Sequence, residues 1–116
     1  MAFYQWSCEV AAEVTFQPSS GRKSPPAIYT HYRNSHLRFK GLEGVDCFAN
    51  VRLLNREQLQ PGETGSTQMN VLIPADSLDD VNDVLHEGSE FSLFEAGSRI
   101  AMGRITALLT GAKSLD

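Results

Sequence analysis

The sequence predicts an all-β fold, a barrel or sandwich of roughly seven short strands with one short helix inserted. Three observations carry this reading. Apolar residues recur at every second position over 4–16 and again over 45–54. Turn signals built on Gly and Pro separate the apolar stretches at short intervals. Only one stretch, Leu78–Glu87, changes to helical spacing.

The first strand covers Tyr4 to Phe16. Tyr4, Trp6, Cys8, Val10, Ala12, Val14 and Phe16 share one phase, while Gln5, Ser7, Glu9, Glu13 and Thr15 occupy the other. A period of two gives one buried and one wet face, the pattern of an antiparallel strand. Residues 17–26 read as a loop, because adjacent Pro25 and Pro26 remove two backbone donors. Strands follow over Ala27–Tyr32 and His36–Lys40, with a turn at Gly41-Leu42-Glu43-Gly44. Val45, Cys47, Ala49, Val51 and Leu53 put one phase of the next strand in the core. Pro61-Gly62 marks a type II turn, and Gln68–Ile73 is a strand closed by Pro74. Asp76 or Ser77 can cap the helix, Leu78, Val81, Val84 and Leu85 form its apolar stripe, and Gly88 ends it. A hairpin then joins Phe91–Phe94 to Arg99–Leu109 through Glu95-Ala96-Gly97-Ser98, and 111–116 reads as a flexible tail. The expectation is a single domain over 1–116, with its core over about 4–110.

At 116 residues a core forms without disulfides or metals. No apolar run reaches the length of a membrane span, and the first residues lack the pattern of a secretory signal. Cys8 and Cys47 read as reduced, buried thiols, which points to the cytoplasm. Net charge is −4, unevenly spread. Residues 21–42 carry Arg22, Lys23, Arg33, Arg38 and Lys40 and no acid, while 43–96 carry eleven acids against Arg52 and Arg56. This asymmetry either makes one positive and one negative surface or merely reflects strands that differ in charge.

Catalytic patterns are missing. No Gly-x-Ser-x-Gly elbow occurs, neither cysteine has a basic neighbour in sequence, and Asp79, Asp80 and Asp83 belong to a helix N-terminus, where negative charge is favoured. His31, His36 and His86 do not have metal-ligand spacing. No cofactor, metal or nucleotide is expected.

Several landmarks resemble, in order, the third domain of elongation factor Tu. Ala11-Ala12-Glu13-Val14 is similar to its opening strand, and Gly21-Arg22-Lys23-Ser24-Pro25 resembles its Gly-Arg-His-Thr-Pro loop. Tyr32-Arg33 and Pro61-Gly62-Glu63 resemble its Tyr-Arg and Pro-Gly-Asp, and Met69–Pro74 resembles its proline-ended strand. Phe91, Glu95, Gly97 and Gly103 align with its closing hairpin. The likeness covers most of residues 10–109. Asn34 stands where that family has proline, the loop before Tyr32 is longer, Arg99 falls one position late, and the helix is an insertion.

The resemblance implies a closed six- or seven-stranded antiparallel β-barrel, standing alone. The sequence has no Gly-x-x-x-x-Gly-Lys-Ser/Thr loop, so GTP hydrolysis is not expected. The expected function is a non-enzymatic binding module acting through protein–protein interaction, as an adaptor or an immunity-type protein. The alternative is tRNA or other RNA binding through the basic stretch. Arg22, Lys23, Arg33, Arg38 and Lys40 would meet phosphates, with Tyr32 stacking, and the same residues are the candidates for a protein partner.

Overall fold

The structure is a computed structural model that describes residues 3–18, 29, 30 and 32–115. Its strands are β1 (Tyr4–Phe16), β2 (Tyr29–Thr30), β3 (Tyr32–Phe39), β4 (Cys47–Leu53), β5 (Gln58–Leu59), β6 (Thr64–Pro74), β7 (Glu90–Glu95) and β8 (Ser98–Ser114), with one helix, α1 (Leu78–Val84). Six strands close into an antiparallel barrel in the order β1-β6-β4-β3-β7-β8, and β8 returns to pair with β1. The expected all-β barrel with one short helix is therefore observed.

Alternation builds the core. Cys8, Val10, Ala12, Val14 and Phe16 of β1 point inward with Cys47, Ala49, Val51 and Leu53 of β4, joined by Met69, Val71 and Ile73 of β6. Each large side chain so buried contributes about 1.5–3 kcal/mol. One mouth of the barrel is closed by the two-stranded β2–β5 sheet, where Tyr29 and Leu59 are buried and Tyr29 packs on Phe16 at 5.6 Å. The helix lies between the end of β6 and the start of β7, at the opposite mouth, and buries Val81, with Leu85 just beyond it.

Several boundaries differ from the sequence reading, each for a physical reason. β3 begins at Tyr32 because Arg33 and Ser35 hold inward positions ahead of Leu37 and Phe39, so its first half shows no apolar phase. β6 begins at Thr64 because its inward positions are Gly65 and Thr67, the latter donating its hydroxyl to the Ala12 carbonyl at 2.9 Å. The helix stops at Val84, short of Glu87, because the Ser89 hydroxyl bonds the Val84 carbonyl and Gly88 turns away at φ 92°. Ser77 occupies its N-cap without a side-chain capping bond. Residues 111–114 are not a frayed tail: β8 runs to Ser114, which pairs with Trp6, and three bulges against β1 hide the alternation there. The expected strand over 27–32 corresponds to β2 and the first residue of β3, with positions 27, 28 and 31 outside the described residues.

Candidate partner-binding face

The outward phase of the barrel should be polar, yet one row across it carries three large apolar side chains, Leu72, Phe48 and Phe94. Residues opposite one another in the ladders are Ser7 (β1), Leu72 (β6), Phe48 (β4), His36 (β3), Phe94 (β7) and Arg99 (β8). The row crosses every strand of the barrel. It starts near the beginning of β1 and ends near the beginning of β8, as strand tilt requires. Leu72, Phe48 and Phe94 are half-buried, and 47% of the His36 side chain is exposed.

Ring contacts extend the row on one side. His36 meets Phe48 edge-on at 5.3 Å, Phe48 lies 6.2 Å from Tyr4, and Tyr4 carries Phe3 at 4.8 Å. Phe3 is 66% exposed. At the other side, the Arg38 guanidinium sits 4.7 Å over the Phe94 ring. Asp46 borders the centre, receiving Arg38 Nε at 3.3 Å and standing 3.0 Å from His36 Nδ1. Partial burial, with the Asp46 carboxylate close by, holds the Tyr4 hydroxyl above its usual range. Beside Phe94 a groove of about 340 Å³ opens between β3, β7 and β8, lined by Arg38, Lys40, Glu90, Phe94 and Met102 among others.

Of the described cations of the basic stretch, Arg38 and Lys40 share that groove and Arg33 lies apart from them. Arg33 lies at the mouth closed by β2–β5, its guanidinium making two bonds to Glu95, one of them Nη2 to Oε1 at 2.7 Å. Ser35 adds its hydroxyl to the same carboxylate at 2.9 Å, and Arg33 sits 5.5 Å from the Tyr29 ring centre. The Glu95 hydrogen bond raises the Arg33 pKa above its already high value. The Tyr29 hydroxyl, buried and without a hydrogen-bond partner of good geometry, is pushed up by desolvation and then by Glu95, with Arg33 and Ser35 opposing. Lys40 lies toward the other mouth and pairs with Glu90 at 3.1 Å. Tyr32 pairs with Arg52 through the backbone, and its side chain, like all of Arg22 and Lys23, lies outside the described residues.

The described cations of the basic stretch therefore each face a carboxylate from the acidic stretch. β3 threads between β4 and β7, and those neighbours, with the turn before β4, supply Asp46, Glu90 and Glu95. What sequence reasoning passed over is the aromatic row. Its signal was present: Phe48 and Phe94 fall in the polar phase of strands whose other phase already fills the core.

Among the described residues no three His, Cys, Asp or Glu side chains are grouped to hold a metal ion. Burial pushes the Cys8 thiol up to about 11 and the Cys47 thiol to about 12, so neither is a thiolate near neutrality. No described helix is long and apolar enough to cross a membrane. No protein-family model matches the chain, and no curated protein matches it.

Proposed function

We propose that the chain is a non-enzymatic binding module, a barrel of the elongation-factor-Tu third-domain type, that acts in the cytoplasm by docking a protein on its aromatic row. The observation that carries this reading is the run Phe3, Tyr4, Phe48, His36 and Phe94 on the outside of the barrel, flanked by Arg38. Aromatic residues and Arg are the types enriched where protein interfaces gain their energy. Apolar side chains grouped on the outside of a barrel are a mark of an interaction site. The barrel topology and the ordered landmarks in the sequence support the architectural half of the proposal.

Protein is favoured over RNA because Arg33, Arg38 and Lys40 already have carboxylate partners. A phosphate would have to displace Glu95, Asp46 or Glu90, losing much of the affinity those cations supply.

The test compares the wild type with Phe48→Ser/Phe94→Ser, both first checked for β structure by circular dichroism. Each is immobilised and exposed to nuclease-treated lysate of its own organism. The expected result is a stoichiometric protein retained by the wild type and lost from the variant. Titration with bulk tRNA at low salt runs in parallel. Tight, salt-sensitive tRNA binding that survives the double substitution, with no protein retained, would overturn the reading in favour of RNA.

A further inference from the structure

A closed barrel has no free strand edges, but this one carries a strand that outruns its neighbour. β7 pairs with β8 only as far as Glu90 opposite Arg104. The last bonds on that side are Gly88 N–H to the Ile105 carbonyl and Ile105 N–H to the Ser89 carbonyl, both 2.8 Å. Beyond them β8 continues along β1 alone, with Ala107 opposite Ala11, Leu108 opposite Val10, Thr110 opposite Glu9 and Lys113 opposite Ser7. Among the described residues, no strand pairs with the other edge of Thr106–Lys113.

We infer that this edge is the docking strand for a second copy of the chain, β8 adding antiparallel to β8 of the copy. The inference does not rest on the function proposed above and uses a different surface. Backbone N–H and C=O groups along an open edge are satisfied best by an extended strand, which fixes the shape of the occupant. An antiparallel pair around a two-fold axis lets the segment meet itself, so no second sequence is needed.

Charge points the same way. Edges of natural monomers are guarded by charged side chains, and Thr106–Lys113 has only Lys113, at its end. With the two-fold axis at Thr110, Lys113 of each copy faces Ala107 of the other, and no like charges meet. Leu108 and Leu109, 46% and 48% exposed, would be covered.

The bulges set the strength. Three register shifts between Ser7 and Ala12 twist the stretch and interrupt any long ladder. The dimer is thus held by few bonds over a small area, as in weak, transient associations.

Sedimentation equilibrium of the purified chain tests this. The average mass should rise from the monomer value of 12.8 kDa toward twice that value as concentration passes through the micromolar range. Leu109→Lys, at an exposed position where the fold tolerates it, should weaken dimerisation at least tenfold while the circular dichroism spectrum stays unchanged. Amide hydrogen exchange should slow with concentration at 106–113. A monomer throughout that range, an undiminished dimer in Leu109→Lys, or protection that maps instead to the Phe48 row would each overturn the inference.

Discussion

Gly103→Ala tests how tightly the barrel wall is drawn around its core. Gly103 lies between two strands, opposite Phe91 on β7 and Val14 on β1. A Cβ built there would run into the Phe91 ring, with Cε1 at 2.7 Å, and would lie 2.8 Å from the Glu13 carbonyl oxygen. The ring cannot swing away freely, since it is buried and packs edge-on against Phe39 at 6.4 Å. The carbonyl is backbone and held in the β1–β8 ladder. Overpacking of this kind costs about 1–3 kcal/mol, and the backbone clash places Gly103→Ala toward the upper end. Replacing glycine recovers about 0.5–1 kcal/mol through the unfolded chain. The net loss is about 2 kcal/mol, a fall in Tm of about 8 °C for a domain of this size. Thermal and urea unfolding followed by far-ultraviolet circular dichroism read it directly. Phe91→Leu in the Gly103→Ala background should recover part of the loss, because the smaller side chain leaves room for the methyl group. Gly103→Ala as stable as the wild type, or a double variant whose loss is the plain sum of the two single losses, would refute the argument.

Further outcomes follow from particular residues. Ala96 and Gly97 both take positive φ, 52° and 78°, in the two-residue β7–β8 turn, so Ala96→Gly should raise stability by about 0.5–1 kcal/mol in urea titration. Glu95→Gln removes the charge that holds Arg33 and should cost about 1–3 kcal/mol, with Ser35→Ala costing less because it leaves the ion pair intact. Burial keeps both thiols protonated in the fold, at about 11 and about 12 against an ordinary 9.0. The unfolded chain therefore ionises first: this contribution is complete below pH 9.0, falls as pH rises to about 11–12, and should fall less in Cys47→Ala. Neither thiol should react with a thiol reagent at about pH 8 until denaturant is added.

How much of this was legible depended on whether the inward residues were apolar. β1 and β4 could be read almost to the residue, because Cys8–Phe16 and Cys47–Leu53 fill the core in strict alternation. The Glu95–Ser98 turn was legible from its glycine, and α1 from the change of spacing. The starts of β3 and β6 were not, since Arg33, Ser35, Gly65 and Thr67 hold their inward positions and are satisfied by partners far away in sequence. The end of β8 was hidden by bulges, which break the period on which strand reading relies. The site was the least legible part. Charge along a chain shows where cations cluster in sequence, but not which strand will lie beside them.

That last point decides how the surface works. A basic strand between two neighbours that bring carboxylates becomes close to neutral, whatever its own composition. Fields from paired exposed charges fall off quickly in salt, so such a wall has little reach toward a polyanion. It can still be read at contact distance, where apolar area and ring geometry dominate. Pairing also fixes the side chains: Arg38, bonded to Asp46 and laid on Phe94, is already ordered before a partner arrives. Ordering a long cation in advance lowers the entropy lost on association, by about 0.5–1.5 kcal/mol for a side chain of this kind. The same ion pairs that argue against phosphate binding are therefore compatible with the proposed docking face on β3, β4 and β7.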